Sequence, residues 1–220
     1  MSIHKLRTPL FLTMELILYY LILTTGGQVL VWSSFLSIVL CFLHAALHWK
    51  DSSRLVICGL AFTVLADFCL VVCFPIQQLW GMVFFTITQS FYAIHLQSNA
   101  PNRILLTVRL GLTAMAALIA WLVLGKRTDA LALLSICYYA NLIMNIAESC
   151  TQFRRNRILP IALVLFLLCD TVIGLQAACG AYLTISEDAL IHRIIFCDFN
   201  LSWLFYLPSQ VLLSLACRKA

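Results

Sequence analysis

Leu55-Val-Ile-Cys-Gly-Leu-Ala-Phe-Thr-Val-Leu-Ala-Asp67-Phe-Cys-Leu-Val-Val-Cys-Phe74 holds one charged residue in an otherwise almost wholly apolar run. At about 1.5 Å of helical rise per residue, a run of this length matches the hydrocarbon thickness of a bilayer. Seven further runs have the same character: Pro9–Thr25, Gln28–Trp49, Leu79–Leu96, Ile104–Gly125, Ala130–Cys150, Ile158–Leu183 and Ala189–Cys217. The expected fold is therefore all-α, a polytopic membrane helical bundle of about eight transmembrane helices in one domain covering 1-220. Composition agrees. Of 220 residues, 63% are apolar and 10% are charged, with a mean hydropathy of +0.99, whereas a soluble domain is about a quarter charged. The first run is read as a span and not as a cleaved leader, because Glu15 interrupts it and no small-x-small site follows.

The formal charge of +5 is a topology signal and predicts no nucleic-acid partner. With a cytoplasmic N-terminus, that side holds Lys5, Arg7, Lys50, Arg54, Arg103, Arg109, Arg154, Arg155, Arg157, Arg218 and Lys219. Only Lys126, Arg127 and Arg193 fall on the other side. Eleven against three is a positive-inside bias, and an even number of spans places both termini in the cytoplasm. Arg154, Arg155 and Arg157 are also placed to meet anionic headgroups. Trp32, Trp49, Trp80 and Trp121 stand near span ends, as interfacial anchors do. Most of the ten cysteines lie within spans without a spacing framework, and are read as small packing residues. No metal or cofactor motif is complete; His44 and His48 lack a third ligand and are read as a solvated helix end.

Two acids break the apolar pattern at one depth. Asp67 is thirteen residues beyond Arg54, and Asp170 is thirteen beyond Arg157, so both lie roughly 20 Å above the same boundary. A carboxyl in hydrocarbon costs a few kcal/mol, and such residues face a polar interior and carry function. Tyr206 and Tyr139 fall near that layer, and Gln210 lies one turn below Tyr206. Gln89 and Tyr92 share a face of the fourth span. Asn141, Asn145 and Glu148 form a stripe at helical spacing. Asn141, Asn145 and Gln176 are read as interhelical glue. Glu15 and Asp198 are expected to join a cavity or to pair with Arg109 or Arg193. A short echo, Phe62-Thr-Val-Leu-Ala-Asp67 against Phe166-Leu-Leu-Cys-Asp170, hints at an internal repeat.

These residues resemble the lysoplasmalogenase-like (YhhN) family of multi-pass membrane proteins. The resemblance rests on Ala66-Asp67, Cys169-Asp170, the pattern Gly81-x3-Phe85-x3-Gln89-x2-Tyr92, and Phe205-Tyr206 followed by Gln210-Val-Leu-Leu. Gln89 stands where the family pattern has histidine, and Ala66 and Cys169 replace the small residues before each aspartate. The resemblance implies hydrolysis of the vinyl-ether bond of a lysophospholipid, with Asp67 and Asp170 as the catalytic pair and no cofactor. It also implies that Gln89, Tyr92, Tyr139, Tyr206 and Gln210 bind substrate. Membrane lipids are the only other expected partners. The setting is the cell membrane of a bacterium or the endoplasmic reticulum of a eukaryote. Two alternatives stay open: an ion-coupled transporter, and a non-catalytic lysolipid-binding protein.

Overall fold

The computed structural model describes residues 3–125, 129–181, 186, 189–197 and 199–217. Among these, nine α-helices and no strand are present: α1 (Ile3–Thr24), α2 (Gly27–Leu47), α3 (Arg54–Asp67), α4 (Gln78–Asn99), α5 (Arg103–Leu124), α6 (Ala130–Thr151), α7 (Ile158–Ala181), α8 (Leu190–Ile195) and α9 (Leu201–Ala216). Side chains terminate several of them. Asn102 Oδ1 accepts from the amides of Ile104 and Leu105 at the start of α5, at 3.0 and 3.1 Å. Asp129 Oδ1 accepts from Ala132 N at 2.7 Å and starts α6. Each cap satisfies amides that the first helical turn leaves without intrahelical acceptors.

Six helices are long and apolar enough to cross a membrane: α1, α2, α3 with its extension, α5, α6 and α7. This is an integral membrane protein. α4 has the length, at 22 residues, but Thr88 and Gln89 on its buried face and several further polar residues lower its apolarity. The last expected span is corrected. Ala189–Cys217 is not one helix: α8 stops at Ile195, and α9 has only 16 residues. Gln176 Nε2 of α7 donates to Ile195 O at 2.6 Å and satisfies an end carbonyl of α8, so this glue residue secures the break.

Packing follows a simple order. α2, α3, α4, α6, α7 and α9 form a ring, each against the next and α9 against α2. α1 lies along α2 and α9, while α5 is held outside against α6. The loops bearing Arg54, Arg103 and Arg155 gather at one end, as the charge pattern requires. There Ser53 N donates to Cys217 O at 2.8 Å, Arg155 Nη1 to Asn99 O at 3.0 Å, and Asn156 Nδ2 to Ala216 O at 3.0 Å. Trp32, Trp49, Trp80 and Trp121 are all exposed. Lys126, Arg127, Arg218 and Lys219 lie outside the described residues.

Pro208 sits inside α9, where it cannot donate to Leu204 O. Tyr19 of α1 makes good the loss, donating its hydroxyl to Leu204 O at 3.0 Å. Close approach matters elsewhere: a Cβ at Gly59 would lie 2.4 Å from the Tyr92 ring, so α3 meets α4 only because residue 59 has none. Tyr19→Phe should cost about 1 kcal/mol by leaving that carbonyl unpaired. In thermal unfolding this is a fall of about 2–4 °C, whereas Tyr20→Phe, at an exposed position, should leave the midpoint unchanged.

Candidate active site

The α3 helix ends at Asp67 and continues as one π turn, Phe68–Val72, a widening often found at functional sites. Asp67 is 3% exposed, and its Oδ2 accepts the Tyr206 hydroxyl of α9 at 2.6 Å. On the facing wall, Asp170 of α7 accepts the Tyr138 hydroxyl of α6. Phe85 of α4 stands between the two pairs. Its ring meets Tyr206 edge-on at 6.4 Å, Phe166 edge-on at 5.7 Å, and Tyr138 at 6.1 Å. Phe85 links the two carboxyl–tyrosine pairs, since its ring meets both tyrosines that bond the aspartates. The two aspartates thus share one interior, walled by α3, α4, α6, α7 and α9.

Of the other sequence candidates, Tyr206 reaches the pair directly. Gln89, Tyr92 and Gln210 are fully buried, and each carries polar atoms that make no hydrogen bond to the described residues: Gln89 Nε2, the Tyr92 hydroxyl, and both amide atoms of Gln210. An unpaired polar group in a dry interior costs about 1–3 kcal/mol. Three such side chains on the two helices that carry Phe85 and Tyr206 are costly for packing alone and suited to holding a polar ligand. Tyr139 has a different partner. Its hydroxyl bonds Thr171 Oγ1 at 2.5 Å, and Thr171 in turn donates to Leu167 O. The neighbouring Tyr138 holds the aspartate. The sequence carried the signal: the stripe Glu148, Asn145, Asn141 extends at its three- and four-residue spacing to Tyr138, not to Tyr139.

Several expectations change outside this layer. Arg109 is not a loop charge but is 7% exposed within the bundle, and it pairs with Glu148, not with Glu15, at 2.7 Å. Arg109 is six residues into its span, and Glu148 six before Arg154, so helical rise places them at one depth. Glu15 accepts from Ser37 Oγ at 2.5 Å and lies 3.5 Å from Cys41 Sγ. Asp198 is outside the described residues. His44 is not solvated: it is buried, stacks on Phe11 at 4.1 Å, and has Thr8 and Ser214 hydroxyls at 3.4 Å. Among the described residues, no group of three His, Cys, Asp or Glu side chains could hold a metal ion.

The YhhN family profile matches residues 28–215, most of the chain. The chain belongs to the YhhN family. That family includes lysoplasmalogenases. No curated protein and no solved structure matches the sequence. The match covers both aspartates and both tyrosines of the central layer.

A cleft of about 340 Å³ opens at the end of the bundle away from Arg54 and Arg157, lined by Ile22, Thr25, Leu30, Gln176, Asn200 and Ser202, among others. Ser202 is one turn before Tyr206 and Gln176 six residues after Asp170, so the cleft sits about 6–9 Å beyond the carboxyl layer. Trp203, next to Ser202 in the chain, meets the Tyr206 ring edge-on at 5.1 Å. Tyr138→Phe should destabilise the protein by about 1–3 kcal/mol, because Asp170 loses the donor that Tyr138 supplies. Tyr139→Phe should cost less, since Thr171 keeps Leu167 O. Equal falls in unfolding temperature for both variants would contradict the distinction.

Proposed function

We propose that this YhhN protein hydrolyses the vinyl-ether bond of lysoplasmalogens, releasing a fatty aldehyde and a glycerophospho-alcohol. The observation that carries this reading is the pair of carboxyls on separate helices, each held by a tyrosine hydroxyl and facing one interior. A vinyl ether reacts by protonation at its β-carbon, which leaves an oxocarbenium ion. Water adds to that cation and loses a proton; the hemiacetal then splits to aldehyde and alcohol. The reaction needs one acid, one base and a site that excludes competing water, and no redox partner.

Asp67, the more deeply buried of the pair, suits the acid. An apolar setting favours the protonated carboxyl, and a positioned acid of this kind contributes about 10²–10⁴ in rate. Asp170, partly exposed, suits the base that orients water and offsets the positive charge of the intermediate. Each tyrosine bonds Oδ2 and leaves Oδ1 of its aspartate for the reacting atoms. Gln89, Tyr92 and Gln210 would then spend their unpaired groups on the substrate's oxygens. The lipid would enter by the cleft beside Trp203, with its chain following the apolar wall between helices.

Asp67→Asn and Asp170→Asn should each lower aldehyde release by about 10²–10⁴. Mass spectrometry of purified protein incubated with a panel of lysolipids measures the products. Turnover retained in both variants would reject the catalytic pair. Binding without turnover by the unaltered protein would favour a lysolipid-binding protein instead.

A further inference from the structure

An amide side chain can be turned either way in a cavity, unless its neighbours forbid one orientation. At Gln89 they do. Arg109 Nη1 donates to Asn145 Oδ1 at 2.8 Å, and a guanidinium carries donors only. Asn145 Nδ2 donates at 2.9 Å to the backbone carbonyl of Gln89, which can only accept. These two contacts fix the amide of Asn145. The same Nδ2 also meets Gln89 Oε1, at 2.8 Å, so the oxygen of Gln89 must face Asn145 and its NH2 must point away. Arg109 is itself anchored, through Nη2 to Glu148 Oε2 at 2.7 Å and through Nη1 to Asn141. Gln97 closes the other oxygen of Glu148.

The freed NH2 is fully buried and makes no hydrogen bond to the protein. Phe85, one turn before Gln89 on α4, has its ring 6.1 Å from that of Tyr138, whose hydroxyl donates to Asp170. A donor brought to the Tyr138 oxygen would polarise the O–H toward the aspartate, because hydrogen bonds in series strengthen one another. A role confined to fastening α5 on α6 explains less. Apolar residues of similar volume would fasten the helices as well as a buried ion pair does, and fastening places no demand on which end of Gln89 faces the core.

We propose that Arg109, Glu148 and Asn145 are positioning residues that lock Gln89 as a hydrogen-bond donor directed at Tyr138 and Asp170, so that a ligand there must offer an acceptor oxygen. The consequence for catalysis rests on the hydrolase reading; the orientation itself does not. Asn145→Asp tests it. The aspartate still accepts from Arg109 but presents an oxygen to Gln89, and the Gln89 amide must turn.

Infrared spectroscopy of the purified protein, with the Asp170 carboxyl band identified by its loss in Asp170→Asn, reads the result without any substrate. The band should be displaced in Asn145→Asp. Aldehyde release should fall by about tenfold, the loss of one hydrogen bond at the reacting pair. An unmoved band in folded Asn145→Asp would overturn the proposal. Should that variant fail to fold, Gln89→Met removes the donor with Asn145 intact, and the same displacement is required of it. A displaced band in a protein that releases no aldehyde even unaltered would sink the hydrolase reading and leave the positioning network standing.

Discussion

A carboxyl group within a bilayer has no water to solvate it, and the protein must supply the partner. In this bundle the partner is a tyrosine hydroxyl, given twice: Tyr206 to Asp67 and Tyr138 to Asp170. Those two bonds tie α9 to α3 and α6 to α7, across a ring whose other contacts are mostly apolar. The aromatic cluster of Phe85, Phe166 and the two tyrosines fills the space between. Polar groups that would be costly against lipid are thereby turned inward. Residues such as Leu110, Leu118 and Val123 of α5 face outward.

The same inversion repeats beside the central layer. Glu15, Ser37 and Cys41 join α1 to α2, and Arg109, Glu148 and Asn145 join α5 and α4 to α6. A buried ion pair is a poor stabiliser, because desolvation offsets most of its attraction, yet removing one partner strands a charge. The Arg109–Glu148 pair is therefore better understood by what it orients than by what it holds. Pro208 belongs to the same logic, since the carbonyl it orphans is taken by Tyr19 of the peripheral α1.

Depth was legible in the sequence, and azimuth only partly. Helical rise is nearly constant, so counting from Arg54, Arg157 and Arg218 puts Asp67, Asp170 and Tyr206 in one layer. Rotation of about 100° per residue is less forgiving, and the choice between Tyr138 and Tyr139 needed the stripe through Glu148, Asn145 and Asn141. Arg109 reads as a topology charge in the sequence because a basic residue near a loop has that meaning on average. Its equal depth with Glu148 was the overlooked sign. The break between α8 and α9 is hidden for a different reason: Ala189–Cys217 is apolar enough overall to read as one span, and the donor that satisfies the Ile195 carbonyl, Gln176, comes from another helix. His44 looked solvated because its burial depends on Phe11, distant in sequence.

The proposed hydrolysis requires two carboxyls, from α3 and α7, to address one reacting bond. An experimental structure with a saturated-ether analogue of a lysoplasmalogen, which cannot be protonated at carbon, tests it most directly. The two carbons next to the ether oxygen on the chain side should lie between Asp67 and Asp170, within about 3–3.5 Å of the reacting oxygens. An analogue bound elsewhere in the bundle, or carboxyls turned toward separate compartments, would contradict it.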